Sequence, residues 1–520
     1  MVAALEHVGP IRRYMLRGTI SNALGRFVTI GCVFVLTPVL LHALGPVQYG
    51  LWLLATTLVG YGALFDLGIA PAIVKYVAEF RARSDPASAR TLVATGVVLY
   101  GTLGLFVALC APLVGLVVPR ALALDPDLRH LASWVLALLS FEVAVKIGGA
   151  ATSAVLRGYQ RYDLVGIQSS CASLIGALSA VLVVRAGGGM TALAASSLLV
   201  TIATQSAGYA IVRHIAPELR YGPRGADRGQ LRRIARFSAT LFIADITYRI
   251  ETKTDEIIIG IVLAVSAVTP YALVLRLVEG MKAAAEQLAG IFPPLASQLV
   301  AVGDLARLRT LYLDGTRLVM ALYLVVGLPL VALSGPLLTI WVGAQYRGGM
   351  VLVVVLGLAG LVDMANWPAS AIMQGLVRHR PLAIASACSA LANLALSIAL
   401  IGPLGLQGVA LGTLVPTLVC SLCFITPYVL RVLTLTPRQY CQHILIPIVL
   451  PAIPSTIAIW IMRELLVPTT FLALAAIAVT GGLTYLGSYL LLGAGEAERS
   501  FCRDIVAKVC QHVTTRWRSA

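Results

Sequence analysis

Long apolar segments follow one another along almost the whole chain, separated by short polar stretches. A helix needs about 20 apolar residues to cross the hydrocarbon core of a bilayer. Of the 520 residues, 59% are hydrophobic and 12% are charged, against about 45–50% and about 25% in an ordinary globular protein. A soluble fold would leave much of that apolar surface in water. The pattern therefore predicts an all-α polytopic membrane protein and excludes the disordered and fibrous classes.

The apolar segments divide into fourteen predicted transmembrane helices. Their approximate ranges are 18–43, 48–72, 91–118, 130–155, 163–185, 191–212, 237–263, 268–296, 311–333, 349–373, 382–402, 407–430, 443–462 and 467–493. The segment 334–348, which contains Pro336 and Trp341, fits instead an outer loop with an interfacial aromatic residue. The first apolar segment is longer than the about 7–15 residues of a signal peptide, so we predict no cleaved leader.

The distribution of Lys and Arg predicts the orientation. The chain has 39 Lys and Arg against 23 Asp and Glu, a net charge of +16, and membrane proteins concentrate cations on their cytoplasmic loops. If the N-terminus is cytoplasmic, every cytoplasmic segment contains at least two cations and no outer loop contains more than two. One span more or fewer would invert this bias. We therefore expect both termini in the cytoplasm, and the positive charge requires no nucleic-acid partner.

The two halves of the sequence share landmarks at matching spacing. Tyr49 is followed nineteen residues later by Gly-Ile-Ala-Pro at 68–71, and Tyr271 is followed nineteen residues later by Gly-Ile-Phe-Pro at 290–293. The match aligns two sets of six helices. Because six is even, both halves have the same orientation, which predicts a pseudo-two-fold axis along the membrane normal.

This repeat predicts five regions in the chain. They are an N-terminal six-helix lobe at 1–212, a basic cytoplasmic linker at 213–236, a C-terminal six-helix lobe at 237–430, two appended transmembrane helices at 431–493 and a cytoplasmic amphipathic tail at 494–520.

Several predicted spans contain ionisable residues, although a charged side chain at the bilayer centre costs about 2.5–3.5 kcal/mol. The segment 237–263 contains six of them, and 268–296 contains four on one helical face. Such residues are expected to face a bundle interior or a water-filled cavity. Arg249, Lys282 and Lys146, from both halves, fall at about the same depth. Phosphate in a low-dielectric cavity needs cationic partners of this kind.

Two groups of candidate site residues follow from these charges. The candidate substrate-binding residues are Arg249, Lys282, Lys146, Arg26, Lys253 and Arg276. The candidate ion-coupling acids are Asp66, Glu142, Asp245 and Asp255. A second interpretation stays open, in which pairs such as Asp245–Arg249 and Glu142–Lys146 only fix helix packing. We expect no cofactor and no metal site, because the CxxC of Cys420 and Cys423 has no second cysteine pair or histidine cluster nearby.

Two stretches of sequence carry a family resemblance. They are HALGPVQYGLWLLATTLVGYGALFDLGIAPAIVKYVAEFRAR at 42–83, and TKTDEIIIGIVLAVSAVTPYALVLRLVEG at 252–280 with its Arg-x-x-Glu landmark. Both resemble the bacterial O-antigen and exopolysaccharide flippases of the multidrug/oligosaccharidyl-lipid/polysaccharide exporter superfamily, over about residues 10–430. The resemblance implies a bacterial inner-membrane transporter. It would move a polyprenyl-diphosphate-linked oligosaccharide from the inner to the outer leaflet by alternating access, for cell-surface polysaccharide biosynthesis.

The resemblance also implies partners and residue roles. Family members hold the diphosphate with cationic cavity residues, and the positions that could serve here are Arg249, Lys282, Arg26 and Lys146. Coupling to H⁺ or Na⁺ is reported for relatives, but no coupling motif matches residue by residue. Membrane lipid, a glycan polymerase and glycosyltransferases are further implied partners.

Other classes of protein remain open. A multidrug or cation antiporter of the same superfamily would need an acidic, aromatic pocket; nine acids in the predicted spans favour it, whereas Arg249 and Lys282 count against it. A membrane glycosyltransferase or polymerase would need a sizeable aqueous loop with paired carboxylates or histidines, and the predicted outer loops are short. A structural scaffold would not need so many charges within its spans. We therefore expect a transporter rather than an enzyme.

Overall fold

The computed structural model describes residues 9–121, 124–219, 225–289, 292–378, 380–495 and 499, with the backbone alone for 9–24 and most of 239–252. Regular structure in these ranges is helical, and they contain no β-strand. The first half of the chain forms α1 (Gly9–Gly60), a 3₁₀ turn (Tyr61–Asp66), α2 (Ile69–Ala82), α3 (Pro86–Ala121), α4 (Pro126–Gly158), α5 (Tyr162–Arg185), α6 (Met190–Ile215), α7 (Arg228–Val262) and α8 (Val265–Ala289).

The second half continues with shorter elements between long helices. They are α9 (Phe292–Ala301), α10 (Leu305–Ala332), α11 (Ser334–Val342), a 3₁₀ turn (Ala344–Gly349), α12 (Met350–Gly375), α13 (Arg380–Leu404), α14 (Leu406–Val419), a π-helical turn (Cys420–Ile425), α15 (Thr426–Val432), α16 (Pro437–Tyr440), a π-helical turn (Cys441–Leu445), α17 (Ile446–Val449), α18 (Ala452–Leu465), α19 (Phe471–Ser488) and a π-helical turn (Tyr489–Gly493).

Within the described ranges, eleven helical segments are long and apolar enough to cross a membrane. The longest, Gly25–Ala82, has 58 residues, well above the about 20 that one crossing needs. Helices α7 and α8 are long enough, at 35 and 25 residues, but contain several charged residues. The predicted all-α multi-pass membrane fold is confirmed, and the count of fourteen spans stays a prediction.

Gly45 divides α1 into two helical parts. Its φ of 72° lies in the left-handed region, which glycine adopts without steric cost. Beyond this break, Gly50 allows α1 to approach α8 closely, because a Cβ at Gly50 would lie 2.3 Å from the backbone oxygen of Val265. Thr269 adds a hydrogen bond to the Pro46 carbonyl oxygen at 2.8 Å. The helix therefore breaks at Gly45, between the predicted spans 18–43 and 48–72, whose separation into two membrane crossings stays a prediction.

The second predicted span, 48–72, is not one continuous helix. Helix α1 ends at Gly60, the 3₁₀ turn follows, and Leu67 (φ 49°) and Gly68 (φ 74°) adopt left-handed conformations before α2 begins. Three of the nine residues from Gly60 to Gly68 are glycines, and each costs a helix about 1 kcal/mol relative to alanine. We call residues 60–68 the interruption.

The segment 334–348 is helical rather than an irregular loop, and its predicted place on the outer side stays a prediction. The segment forms α11 and a 3₁₀ turn, and Trp341 is buried at 3% exposure. Pro336 is compatible with a helix because it lies in the first turn, where backbone N–H groups have no intrahelical partner. Gly343, at φ 118°, follows the last residue of α11.

A polar cluster links α2 to the segments that follow α4 and α6. Arg81 donates a hydrogen bond to the Tyr159 carbonyl oxygen at 3.1 Å, and Arg90 donates to the Glu218 carbonyl oxygen at 2.9 Å. The Tyr159 hydroxyl donates to the Glu218 carboxylate. Burial and this hydrogen bond raise the pKa of Tyr159 above its ordinary value.

The described residues group into two compact units. The N-terminal unit consists of the described part of Val8–Leu273 with Ala390–Val409, and the C-terminal unit consists of Val274–Ser389 with the described residues from Ala410 onward. Buried residues of the N-terminal unit include Ile73, Val77, Tyr100, Ile147 and Val155. Those of the C-terminal unit include Tyr312, Ile372, Val429, Ile444 and Tyr485. The predicted six-helix lobes stay a prediction, and almost all of the predicted tail at 494–520 lies outside the described residues.

Candidate functional site

The interruption is held by polar contacts with α7. Arg249 donates a hydrogen bond from Nη1 to the carbonyl oxygen of Gly60 at 3.3 Å. The Tyr61 hydroxyl lies 2.8 Å from Oγ1 of Thr254 and donates to the Arg249 carbonyl oxygen at 3.3 Å. The last carbonyl oxygens of a helix have no intrahelical partner and carry partial negative charge, which a guanidinium offsets. Arg249 and the interruption therefore fix each other's position.

Three acidic residues of the N-terminal unit accept hydrogen bonds from hydroxyl groups near the interruption. The pairs, donor first, are Tyr100–Asp66, Tyr271–Asp255 at 2.6 Å, and Thr57–Glu256. Asp255 and Glu256 are only 6% and 5% exposed. Because an unpaired buried carboxyl group is costly, these hydroxyls make it feasible to bury acids on α7.

A cavity of about 540 Å³ lies within the N-terminal unit, with lining residues from α1, α4, α5 and α6. Its lining is rich in hydroxyl and amide side chains: Ser153, Gln168, Ser169, Ser173, Ser179, Ser196, Ser197, Thr201, Thr204 and Gln205. Such groups both donate and accept hydrogen bonds without carrying charge. The cavity is therefore suited to a neutral ligand with many hydroxyl groups.

An ion pair lies on the cavity wall. The Lys146 ammonium is 2.6 Å from Oε1 of Glu142, and the Thr201 hydroxyl donates to the same oxygen at 3.1 Å. The Glu142 side chain is 7% exposed, whereas that of Lys146 is 55% exposed. Within the described ranges, the buried Oε1 of Gln205 accepts no hydrogen bond. The cavity thus combines a buried acid, an accessible cation and an unsatisfied acceptor.

The C-terminal unit contains a second ion pair between residues of predicted spans. Lys282 on α8 lies 2.7 Å from Oδ2 of Asp363 on α12, with side chains 23% and 43% exposed. The Tyr323 hydroxyl donates to the Gly357 carbonyl oxygen at 2.7 Å. A Cβ at Gly360 would lie 2.8 Å from the Tyr323 hydroxyl and 3.1 Å from Cε of Lys282. Any anion that binds Lys282 would compete with Asp363.

The other candidates have different surroundings. Arg276 pairs with Glu279 at 3.0 Å on α8. Arg26 is exposed on α1 and is not part of the cavity lining, and Lys253 is half-buried on α7 beside Thr254. The side chain of Asp245 lies outside the described residues.

Among the residues that the structure describes, no group of three or more His, Cys, Asp or Glu is arranged to hold a metal ion.

Neither the interruption nor the hydroxyl groups that partner the charges were predicted from the sequence. The three glycines between positions 60 and 68 were the available signal for the interruption. The signal for the cavity was the set of Ser, Thr and Gln residues in the predicted spans 163–185 and 191–212. The partners Tyr61 and Thr254 lie 193 positions apart and gave no local signal.

Comparison with known proteins identifies the family. A family model described as "Polysaccharide biosynthesis protein" matches residues 15–297, more than half of the chain. The chain belongs to the polysaccharide biosynthesis protein family. Among curated proteins, this family member is similar to EpsK of Bacillus subtilis (strain 168), an uncharacterized membrane protein. The two are 21% identical over 436 residues, which cover 82% of this chain and 84% of EpsK.

Solved structures with a similar fold are transporters. The lipid II flippase MurJ in an inward closed conformation matches with a TM-score of 0.69 and 13% identity, covering 94% of this chain and 99% of MurJ. An outward-facing multidrug resistance MATE family transporter of the MOP superfamily matches with a TM-score of 0.62 and 14% identity, covering 81% of this chain and 95% of that transporter. This member of the polysaccharide biosynthesis protein family therefore has the fold of the MOP-superfamily transporters and flippases.

Proposed function

We propose that the protein moves a polyprenyl-diphosphate-linked oligosaccharide from the inner to the outer leaflet by alternating access, for cell-surface polysaccharide biosynthesis. The observation that carries this proposal is Arg249 at the interruption, in a member of a polysaccharide biosynthesis family. A diphosphate needs cations to enter a low-dielectric region, and a guanidinium binds phosphate oxygens with two parallel hydrogen bonds. Interrupted helices are tolerated within membranes where they face protein or a water-filled cavity.

The polar cavity of the N-terminal unit supports an oligosaccharide as cargo. Its volume of about 540 Å³ falls within the range of about 300–1,000 Å³ that is usual for small-ligand sites. Hydroxyl and amide groups can replace the water that a sugar loses when it leaves the aqueous phase. The prenyl chain can stay in the lipid, since it is as apolar as the bilayer core.

The remaining charges have proposed roles in the same cycle. Additional contacts with the anionic head group are assigned to Lys282, Lys146, Arg26, Lys253 and Arg276. The acids that would take up H⁺ or Na⁺ are assigned to Asp66, Glu142, Asp245 and Asp255. A buried carboxyl group such as that of Glu142 is suited to coupling transport to an ion gradient. Binding of a proton or a cation neutralises the carboxylate and so removes the free-energy cost of burying its charge.

A multidrug or cation antiporter is the second candidate function. The buried acids Glu142, Asp255 and Glu256 favour it, because organic cations need buried carboxylates as partners. Such an antiporter would bind its cargo through these acids, and Arg249 would oppose binding. The two candidates therefore predict opposite charges for the cargo.

Deletion of the gene in its host separates the two functions. The flippase proposal predicts that the lipid-linked oligosaccharide accumulates, that surface glycan disappears and that sensitivity to cationic drugs is unchanged. Complementation with the wild-type gene should restore surface glycan. Normal surface glycan together with new drug sensitivity would contradict the proposal and support the antiporter.

A further inference from the structure

Two cations share aromatic partners at one end of α2 and α7. The Lys75 ammonium lies 5.0 Å from the ring centroid of Tyr76 and 4.6 Å from that of Phe237. The Arg233 guanidinium lies 5.3 Å from the Tyr76 ring and 5.4 Å from the Phe80 ring. Because the face of an aromatic ring attracts cations, both charges are held by aromatic rings and share the Tyr76 ring. We call these five residues the cation–aromatic cluster.

The charges of the cluster have aromatic rather than acidic partners. Lys75 and Arg233 are exposed, and within the described ranges no carboxylate lies at ion-pair distance from either. Glu79, the acidic residue of α2, forms an ion pair with Arg83, in which Oε1 of Glu79 lies 3.0 Å from Nη2 of Arg83. Two cations on a shared ring without an acidic partner leave positive charge uncompensated at this surface, and an anion would offset that charge. The cluster is therefore arranged to accept an anion.

A single helix connects the cluster to the interruption. Ser238, just after the cluster on α7, donates a hydrogen bond to the Gly68 carbonyl oxygen at 2.9 Å. Arg249 follows Arg233 by sixteen residues on the same helix, about 24 Å at 1.5 Å per residue. An anion held at the cluster thus lies about one leaflet's thickness from the Arg249 guanidinium along α7.

The surroundings of the cluster indicate a phosphate that is borne by a lipid. The exposed residues Arg228, Arg232 and Arg236 occupy the same end of α7, which the distribution of cations predicts to be cytoplasmic. Aromatic rings concentrate at the level of lipid head groups. A diphosphate presents two adjacent anionic groups to the two cations, whereas an ordinary anionic phospholipid presents one.

We propose that the cation–aromatic cluster is an entrance site, which captures the diphosphate of the lipid-linked substrate from the inner leaflet before the diphosphate reaches Arg249. The inference rests on the proposed function for the identity of the lipid. Capture at an exposed cationic site raises the local concentration of an anionic substrate, which speeds its association with a deeper site.

Binding of a sugar-free polyprenyl diphosphate to the full-length protein in phosphatidylcholine nanodiscs tests the proposal. The double variant Lys75→Gln/Arg233→Gln should bind at least about tenfold more weakly, because two charge-assisted contacts are lost. The matched control Arg232→Gln/Arg236→Gln removes the same charge from the same end of α7 and should bind like wild type. Equal weakening in both double variants would overturn the entrance site, since only the net charge would then matter.

The shared ring provides a second test that keeps both cations. Tyr76→Phe retains the ring face and should bind the diphosphate like wild type. Tyr76→Leu removes the ring and should weaken binding, because Lys75 and Arg233 lose a common partner. This pair of variants decides the question if the double variant fails to fold. Equal binding by Tyr76→Leu and Tyr76→Phe would contradict the proposal.

Competition by an ordinary anionic phospholipid identifies the source of the phosphate that the cluster binds. Phosphatidylglycerol should compete poorly with the polyprenyl diphosphate, and equal competition would show a general anionic-lipid surface and overturn the entrance site.

A comparison of lipid capture with lipid translocation distinguishes failure of the entrance site from failure of the proposed function. Arg249→Ala should still capture the lipid but should not translocate it. If the wild type captures the lipid but does not translocate it, the proposed function fails while the entrance site is supported. If the wild type translocates it and Lys75→Gln/Arg233→Gln captures normally, only the entrance site is wrong.

Discussion

The guanidinium of Arg249 donates a hydrogen bond to the carbonyl oxygen of Gly60 across 3.3 Å, although the two residues are 189 positions apart in the chain. This contact joins the most highly charged stretch of the protein to the point at which α1 ends. It explains how an arginine can be retained within an apolar helical protein, because the helix end supplies a partial negative charge. Arg249 thus has a positioning role in addition to its proposed contact with the diphosphate.

Two substitutions of Arg249 distinguish the contribution of its charge from the contribution of its hydrogen-bond geometry. Arg249→Ala should reduce surface glycan to background, because both the cation and the Gly60 contact are lost. Arg249→Lys keeps the charge but not the planar pair of donors, so we expect partial activity, lower by about tenfold. Surface glycan on complemented deletion cells is the readout, and Arg232→Gln is the matched control. Normal glycan with Arg249→Ala would exclude a role for Arg249 in binding.

The contact between Tyr61 and Thr254 should stabilise the interruption. Tyr61→Phe keeps the ring and removes the hydroxyl, so we expect a loss of about 1 kcal/mol in the free energy of unfolding. Thr254→Val should have a similar effect. Because the two side chains share one hydrogen bond, the double variant should lose clearly less than the two single losses combined. Full additivity in thermal unfolding of the purified variants would show that this hydrogen bond does not support the interruption.

Among the candidate coupling acids, Glu142 has the environment that most favours the proposed role, because its carboxylate is buried beside Lys146. Glu142→Gln keeps an acceptor for the Thr201 hydroxyl but loses the ion pair with Lys146. If Glu142 takes up the coupling ion, the variant should transport at a rate that no longer responds to an imposed pH or Na⁺ gradient. Thr201→Val, which leaves the carboxyl group in place, should retain the response. An unchanged gradient response in Glu142→Gln proteoliposomes would assign coupling to another acid.

The pair of Lys282 and Asp363 can be tested as a structural unit. Removing one partner of a buried ion pair costs about 3–5 kcal/mol, and the partial exposure of these side chains should reduce that loss. Lys282→Ala and Asp363→Ala should each lower the unfolding temperature, and the double variant should be less destabilised than the single effects predict. A substrate contact by Lys282 alone would give a different result, with Asp363→Ala as stable as wild type.

The sequence predicted those features of the fold that depend on local composition. The predicted span 163–185 matches α5 (Tyr162–Arg185), because a bilayer-length apolar segment between polar ends has few alternatives. Charged residues within the predicted spans were equally conspicuous, because the segments around them are apolar, as they are around Glu142 and Lys146. The family resemblance rested on sequence motifs and is confirmed by the family match.

The features that escaped prediction depend on contacts between distant segments. The interruption in the second predicted span is completed by Thr254, and the acids Asp255 and Glu256 receive hydroxyl groups from Tyr271 and Thr57. The burial of Trp341 was not predicted either, because packing against other elements rather than residue type decides its exposure. Local periodicity contains none of this information.

Translocation in proteoliposomes measures the proposed activity itself. The full-length protein would be reconstituted with a polyprenyl-diphosphate-linked oligosaccharide confined to one leaflet, and a glycosidase that cannot cross the membrane would report the glycan that reaches the other leaflet. The proposed function predicts that wild type exposes the glycan much faster than protein-free vesicles and that Arg249→Ala does not. Exposure by wild type no faster than in protein-free vesicles, or equal exposure by Arg249→Ala, would contradict it.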